Sequence, residues 1–260
     1  MTIDKFEGTF RMNAQGVALS APAVAVSKDQ RTHISVEGCD GGFVIVVAIE
    51  GMTEECATAA AARAADVTYE RILLEIPEYI ASPTPPRLER SIFTPAMPEV
   101  RRVFLQPMRI AITGGSARFA SSIAPARLQP AIDQAQRELG DASVAGSNVD
   151  SARRLFRVAM ETTDPVSGYL VCYGALQLFA LSAYGKREGR YQQSIDRLLC
   201  AEDSLLTMVA GRKGPETIFT EARNRFIHAE DRGENPEEAM QLMGQRLKEF
   251  LVLTARILKR

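Results

Sequence analysis

An α+β N-terminal domain over residues 1–145, followed by an all-α helical bundle over residues 146–260, is the architecture the sequence predicts. Three observations point to it. The continuous β-branched run Phe43-Val44-Ile45-Val46-Val47-Ala48-Ile49 leads through Gly51 into an alanine-rich helical stretch, so the first half mixes strand and helix. Gly140 to Asn148, GDASVAGSN, is small and polar, as a domain boundary is. Beyond it, each periodic apolar segment reads as a helix.

In the first half, Pro22–Val26 and Thr32–Val36 alternate enough for half-buried strands, with polar SKDQR as the turn between them. His33 lies in the second of these and reads as a structural or surface residue. The Phe43–Ile49 run reads as a buried central strand. Thr53 is a good N-cap for the helix that follows, with Glu54 and Glu55 suited to its first turn. Residues 77–98 hold six of the thirteen prolines, Pro77, Pro83, Pro85, Pro86, Pro95 and Pro98, and are expected to be a loop or an extended wrap. VFLQPMRIAIT, Val103 to Thr113, reads as another strand, with Pro107 forcing an edge or a bulge. Thr113-Gly114-Gly115-Ser116 reads as a turn rather than a phosphate loop, because no third glycine follows. Ala126–Leu139 reads as a helix interrupted near Pro130.

The second half opens with Ser147 or Asp150 capping SARRLFRVAMETT, whose Leu155, Phe156 and Ala159 face inward. Asp164 then caps, and Pro165 takes the first helical position. Val166 to Tyr184 is apolar on nearly every side and about as long as a membrane span. Gln177, Ser167, Ser182 and three tyrosines dilute it, so it is expected to be the buried central helix of a bundle. Tyr191–Val209 reads as a further helix with Ile195, Leu198, Leu199, Leu205, Leu206 and Val209 inward, broken by Gly211–Pro215. Asn235 caps the last helix and Pro236 opens it. Met240, Met243, Leu247, Phe250, Leu251, Thr254, Ile257 and Leu258 form its apolar stripe.

Composition narrows the function. The 260 residues are 46% hydrophobic and 24% charged, as in soluble globular proteins. MTIDKFEGTF shows no basic region followed by an apolar run, so no secretory signal is expected. Cys39, Cys56, Cys172 and Cys200 are too widely spaced for a zinc site, and reduced thiols in a cytoplasmic protein are expected. Net charge is −1, divided as −4 over residues 1–150 (14 Lys+Arg, 18 Asp+Glu) and +3 over 151–260 (17 against 14). That balance disfavours strong non-specific grip on nucleic-acid phosphates, while leaving room for a small positive cleft. Metal-hydrolase, serine-hydrolase and dehydrogenase motifs are absent from the sequence. No cofactor and no metal are expected.

The chemistry-bearing stretch is Ile218 to Asp231, IFTEARNRFIHAED. Phe219, Ala222, Phe226 and Ala229 fall at helical spacing and give one apolar stripe. Asn224 and His228 are four apart and share another face. Arg223 is adjacent and can reach the same place.

Arg223-Asn224-Arg225-Phe226-Ile227-His228 matches the Arg-polar-x3-His motif of the HEPN superfamily, all-helical domains common in prokaryotic RNA-cutting and defence proteins. The long apolar helix DPVSGYLVCYGALQLFALSAYG ahead of the motif and the long amphipathic helix behind it resemble Apea-like HEPN domains. The resemblance covers residues 147–260. It implies an endoribonuclease in which two motif helices meet across a homodimer, with RNA as substrate. In that scheme Arg223 binds phosphate, His228 is general acid/base and Asn224 supports them. Metal-free cleavage needs such groups, because histidine titrates near working pH and arginine presents a charged planar fork. Glu221 and Glu161 could assist but match no firm motif position. The alternative is a non-catalytic HEPN-like binding or regulatory module, in which Arg, Asn and His make salt bridges and caps. A third class, small-molecule or nucleotide binding by the first domain, has only the sheet-like pattern behind it. That domain is expected to select a target or a protein partner, and no membrane association is expected.

Overall fold

The structure, a computed structural model, describes residues 3–13, 17–19, 21–26, 31–39, 41–80, 83–95, 102–105, 121–139, 147–185, 191–211 and 214–260. The predicted boundary at residue 145, the Thr113–Ser116 turn and the Pro107 part of the predicted 103–113 strand lie outside these. The chain divides into two compact units, Met1–Ser143 and Val144–Arg260.

The first unit is α+β. Its elements are β1 (Ile3–Asn13), β2 (Val17–Leu19), β3 (Ala23–Val26), β4 (Thr32–Cys39), β5 (Gly42–Glu50), α1 (Glu54–Glu75), β6 (Arg87–Pro95), β7 (Arg102–Leu105), β8 (Ser121–Ile123) and α2 (Pro125–Leu139). Six strands form one sheet in the order β3-β4-β5-β1-β6-β7, each neighbour antiparallel. β5 is interior to the sheet, as its unbroken apolar run requires. β2 and β8 pair separately, parallel to each other.

β1 carries a period-2 pattern of its own. Phe6, Gly8, Phe10 and Met12 are buried, and they lie opposite Ile49, Val47, Ile45 and Phe43 of β5. Phe6 also faces Phe93 of β6, with ring centroids 5.0 Å apart. A Cβ on Gly8 would lie 2.9 Å from both the Phe6 and Phe10 rings, which close over it. β6 corrects the expectation of a loop through residues 77–98. Pro77, Pro83, Pro85 and Pro86 all precede the strand and Pro95 ends it, so Arg87–Thr94 keeps every backbone donor for pairing.

α1 packs on β1 and β5, and α2 packs on β3 and on α1. The buried Ala57, Ala61, Ala64 and Ala65 are small, which lets α1 lie close. Thr53 caps it by accepting from the Cys56 amide. α2 runs unbroken through Pro130, held by buried Leu128, Ala131, Ile132 and Ala135; the predicted interruption is absent. Arg71 of α1, buried, donates from Nε to Glu138 Oε2 of α2 at 2.9 Å.

The second unit is helical: α3 (Asn148–Glu161), α4 (Pro165–Tyr184), α5 (Tyr191–Glu202), α6 (Ile218–Ile227), α7 (Ala229–Arg232) and α8 (Pro236–Leu258), with a hairpin of β9 (Met208–Gly211) and β10 (Gly214–Thr217). Ser147, Asp164 and Asn235 cap α3, α4 and α8 by accepting from the amides of Asp150, Ser167 and Glu237. α4 packs against α3, α5 and α8. By length and composition it could cross a membrane, at a mean hydropathy of 1.4, yet Tyr169, Cys172, Tyr173, Leu176 and Ala180 are buried within the bundle. Phe250 of α8 stacks between Tyr169 (4.7 Å) and Phe219 of α6 (5.0 Å). Along α8, Met243, Phe250, Thr254, Ile257 and Leu258 are buried as expected, but Met240 is 41% exposed.

The predicted helix over Tyr191–Val209 is too long. α5 ends at Glu202, and Leu205 is 91% exposed. Asp203 accounts for the stop: its Oδ1 accepts from the Leu205 amide at 2.9 Å and its carbonyl from the Leu206 amide, closing a local turn that competes with helix. The chain then enters the hairpin, where Glu216 lies opposite Val209.

Candidate functional site

α6 starts where β10 ends, so the hairpin leads directly into the motif helix. Thr217 caps α6 by accepting from the Thr220 amide at 3.2 Å. Behind the cap stands Asp196 of α5, a buried carboxylate. Its Oδ1 accepts from the Thr217 amide (3.2 Å) and from the hydroxyls of Thr217 (2.7 Å) and Thr220 (2.6 Å). A negative group at the positive end of a helix is favourable, and here it also uses amide and hydroxyl donors that would otherwise be buried unmatched. Tyr173 of α4 meets the Thr220 hydroxyl at 3.2 Å, and Tyr169 donates to the Phe219 carbonyl at 2.8 Å. Burial pushes the Tyr173 hydroxyl up to about 12, so it stays a neutral partner. These contacts hold the cap and first turn of α6 independently of the motif residues.

The structure brings Arg223 and Asn224 together. Asn224 is 5% exposed, and three partners hold its amide. Nδ2 donates to Glu216 Oε2 of β10 at 2.8 Å, and Oδ1 accepts from Gln192 Nε2 of α5 (2.9 Å) and from Arg223 Nη1 (2.8 Å). A carboxylate on one side and two donors on the other allow only one orientation of the amide. The Arg223 guanidinium, half-buried, lies over the Tyr173 ring with Cζ 5.4 Å from its centroid. Gly211 makes room for this cluster, since a Cβ there would meet Glu216 Cδ at 2.5 Å.

His228 stands apart from that cluster. The spacing predicts one continuous helix from Ile218 to Asp231, but α6 ends at Ile227. His228 is its C-cap, at φ −110° and ψ 20°, with its amide still bonded to the Asn224 carbonyl at 3.0 Å. The His228 ring is not among the partners of the Asn224 amide, which is held by Glu216, Gln192 and Arg223. Its Nδ1 lies 3.7 Å from Asp231 Oδ2, and the side chain is 44% exposed. The ring is therefore solvent-accessible, and Asn224 does not orient it. Arg225, the motif's other cation, is engaged by Glu234 and Glu238. Of the two suggested helpers, Glu161 pairs with Arg157 on α3, and Glu221 sits in the first turn of α6.

Four site residues have no motif signature: Asp196 and Gln192 from α5, Glu216 from β10, and Tyr173 from α4. Each reaches α6 across the fold, so spacing along α6 could not reveal them. Among the described residues no three His, Cys, Asp or Glu side chains gather as a metal-binding group. A separate cleft of about 440 Å³, lined by Asp203 and by Gln245, Lys248, Val252 and Arg256 of α8, does not include the motif residues.

The chain matches no family model, no curated protein and no solved structure, so its site has only its own chemistry to speak for it.

Proposed function

We propose that this chain is a HEPN-like, metal-independent endoribonuclease acting on RNA in the cytoplasm. His228 moves protons, Arg223 holds the reacting phosphate, and Asn224 places Arg223. The observation that carries the reading is that α6 bears at its end a solvent-accessible imidazole and, five residues earlier, a guanidinium held against an amide and an aromatic ring. A fixed cation can stabilise the charge that builds on phosphorus without rearranging as it builds. The step needs a base to take the 2′-hydroxyl proton as O2′ bonds to phosphorus. It also needs an acid to protonate the departing 5′-oxygen as the P–O5′ bond breaks, leaving a 2′,3′-cyclic phosphate and a 5′-hydroxyl. One imidazole cannot be base and acid at once, so a homodimer that brings a second His228 to the same phosphate completes the scheme. The N-terminal α+β unit then selects the RNA or a protein partner.

The test is cleavage of an RNA panel by the full chain in excess chelator, with end-group analysis of the products. Wild type should leave cyclic phosphate ends, and Arg223→Ala and His228→Ala should each abolish cleavage while the fold is retained. A wild type that cuts nothing, or variants that cut equally well, would overturn the proposal.

A specific observation favours the second reading, a non-catalytic binding or regulatory module. The Asn224 amide is taken up by Glu216, Gln192 and Arg223, as a purely architectural residue would be. RNA retention without cleavage, lost in Arg223→Ala, would favour that reading over the nuclease.

A further inference from the structure

We propose that Glu216 is the positioning residue for Arg223, acting through the Asn224 amide. This rests on the assignment of Arg223 as the phosphate-holding group. Glu216 is 8% exposed and belongs to a short hairpin strand, an uncommon place for a carboxylate unless it has a partner. Its Oε2 accepts from Asn224 Nδ2 at 2.8 Å. That bond settles which end of the Asn224 amide faces Glu216, and so turns Oδ1 toward Arg223 Nη1 at 2.8 Å. Without an acceptor at Glu216, Asn224 Nδ2 loses its partner and Oδ1 is held only by Gln192 Nε2, an amide that can itself turn to present its oxygen, and by Arg223. The Asn224 amide can then rotate by half a turn and present donors to the guanidinium, which is itself only a donor. Among the described residues Arg223 would then keep the Tyr173 ring, a contact that orients a cation without fixing its in-plane direction.

The hairpin is shaped for this carboxylate. At Gly211, the last residue of β9, a side chain would collide with Glu216 Cδ and Cγ, at 2.5 and 2.8 Å. Glycine there leaves the space that the inward-turned carboxylate occupies. Two substitutions therefore probe one relay from opposite sides. Glu216→Ala deletes the acceptor, and Gly211→Ala leaves it in the chain but pushes it out of place. Glu216→Gln is the conservative control, since its amide oxygen can still accept from Asn224 Nδ2.

The experiment is guanidinium labelling of the full-length protein with an arginine-specific dicarbonyl, followed site by site by peptide mass spectrometry. Arg153 and Arg157, each bonded within the helical unit, report on general loosening. Glu216→Ala and Gly211→Ala should each speed Arg223 labelling by about tenfold, the scale of losing a charge-assisted hydrogen bond, while Arg153 and Arg157 keep their wild-type rates. Glu216→Gln should label Arg223 close to the wild-type rate. With RNA, the two disruptive variants should lose kcat more than they raise KM. Unchanged Arg223 labelling in either disruptive variant, or an equal rise at all three arginines, overturns the relay. Selective release of Arg223 together with a wild type that cuts no RNA upholds the relay and removes only the nuclease assignment.

Discussion

Asp196 on α5 accepts the hydroxyl hydrogen of Thr220 on α6 at 2.6 Å, and the same oxygen takes the amide and hydroxyl of Thr217. One buried carboxylate atom thus ties the cap of the motif helix to a neighbouring helix. Removing it leaves the buried Thr217 amide without this acceptor and, among the described residues, the two threonine hydroxyls with only each other and Tyr173. Asp196→Ala should cost about 2–4 kcal/mol, the sum of lost charge-assisted bonds and lost helix-end charge, whereas Asp196→Asn, which keeps an acceptor oxygen, should cost roughly half as much. Urea unfolding of the three proteins checks this. Equal midpoints would mean the carboxylate does not hold α6 in place.

Asn224 and His228 should separate stability from function. Asn224 is buried with three partners, and its loss leaves the buried Glu216 carboxylate without its amide donor. Asn224→Ala should therefore lower stability by about 2–3 kcal/mol as well as impair any activity that uses Arg223. His228 is exposed and touches only Asp231 among the described charged side chains. His228→Ala should shift stability by less than about 0.5 kcal/mol and still remove RNA cleavage. Melting curves and cleavage assays on the same preparations read both effects. A large loss of stability in His228→Ala would mark that ring as architectural.

Much of the layout was legible because its signals are local. Thr53, Asp164 and Asn235 cap the helices they were expected to cap, since a cap needs only its own backbone neighbours. β5 announced its interior position by having no polar face. The failures came where a local signal continued past its physical cause. Leu205, Leu206 and Val209 extend the apolar spacing of α5, but the Asp203 turn ends the helix before they join it. In the site, Arg223 and Asn224 were found because they neighbour each other on one helix. Glu216, Gln192 and Asp196 were not, because their relation to α6 exists only once α5 and the hairpin have packed. The expectation of one helix from Ile218 to Asp231 followed the unbroken apolar spacing, whereas α6 ends at Ile227 with His228 as its C-cap.

The Arg71–Glu138 pair joins α1 to α2 with side chains only 6% and 18% exposed. Gln134 adds a further donor to Glu138. Glu138→Ala would leave the guanidinium buried without its carboxylate, at a cost of about 3–5 kcal/mol. Replacing both partners together, Arg71→Met with Glu138→Leu, removes the charge and its desolvation at once and should come within about 1–2 kcal/mol of wild type. Denaturant unfolding of the full chain, followed by a probe in the first unit, distinguishes these outcomes. If the single variant is as stable as the double, the pair contributes nothing as a pair.

Cys172 sets a pH limit on the second unit. The thiol is fully buried and bonded to the Thr254 hydroxyl at 3.2 Å. Burial, only partly offset by that bond, pushes its pKa from 9.0 up to about 12. A pKa raised on folding means the native state holds its proton where the unfolded chain has lost it. The stabilisation is complete below pH 9 and drains away as pH rises from 9 toward 12. Cys200, also pushed up by burial, acts in the same sense, and Tyr173 joins above pH 10. Wild type should lose up to about 1.4 kcal/mol per pH unit from the Cys172 thiol alone across this window. Cys172→Ala should start lower, having lost the Thr254 bond, but decline less steeply between pH 9 and 10. Urea midpoints at pH 8, 9 and 10 measure both slopes, and parallel lines would show that the thiol ionises as freely in the folded protein as in the unfolded chain.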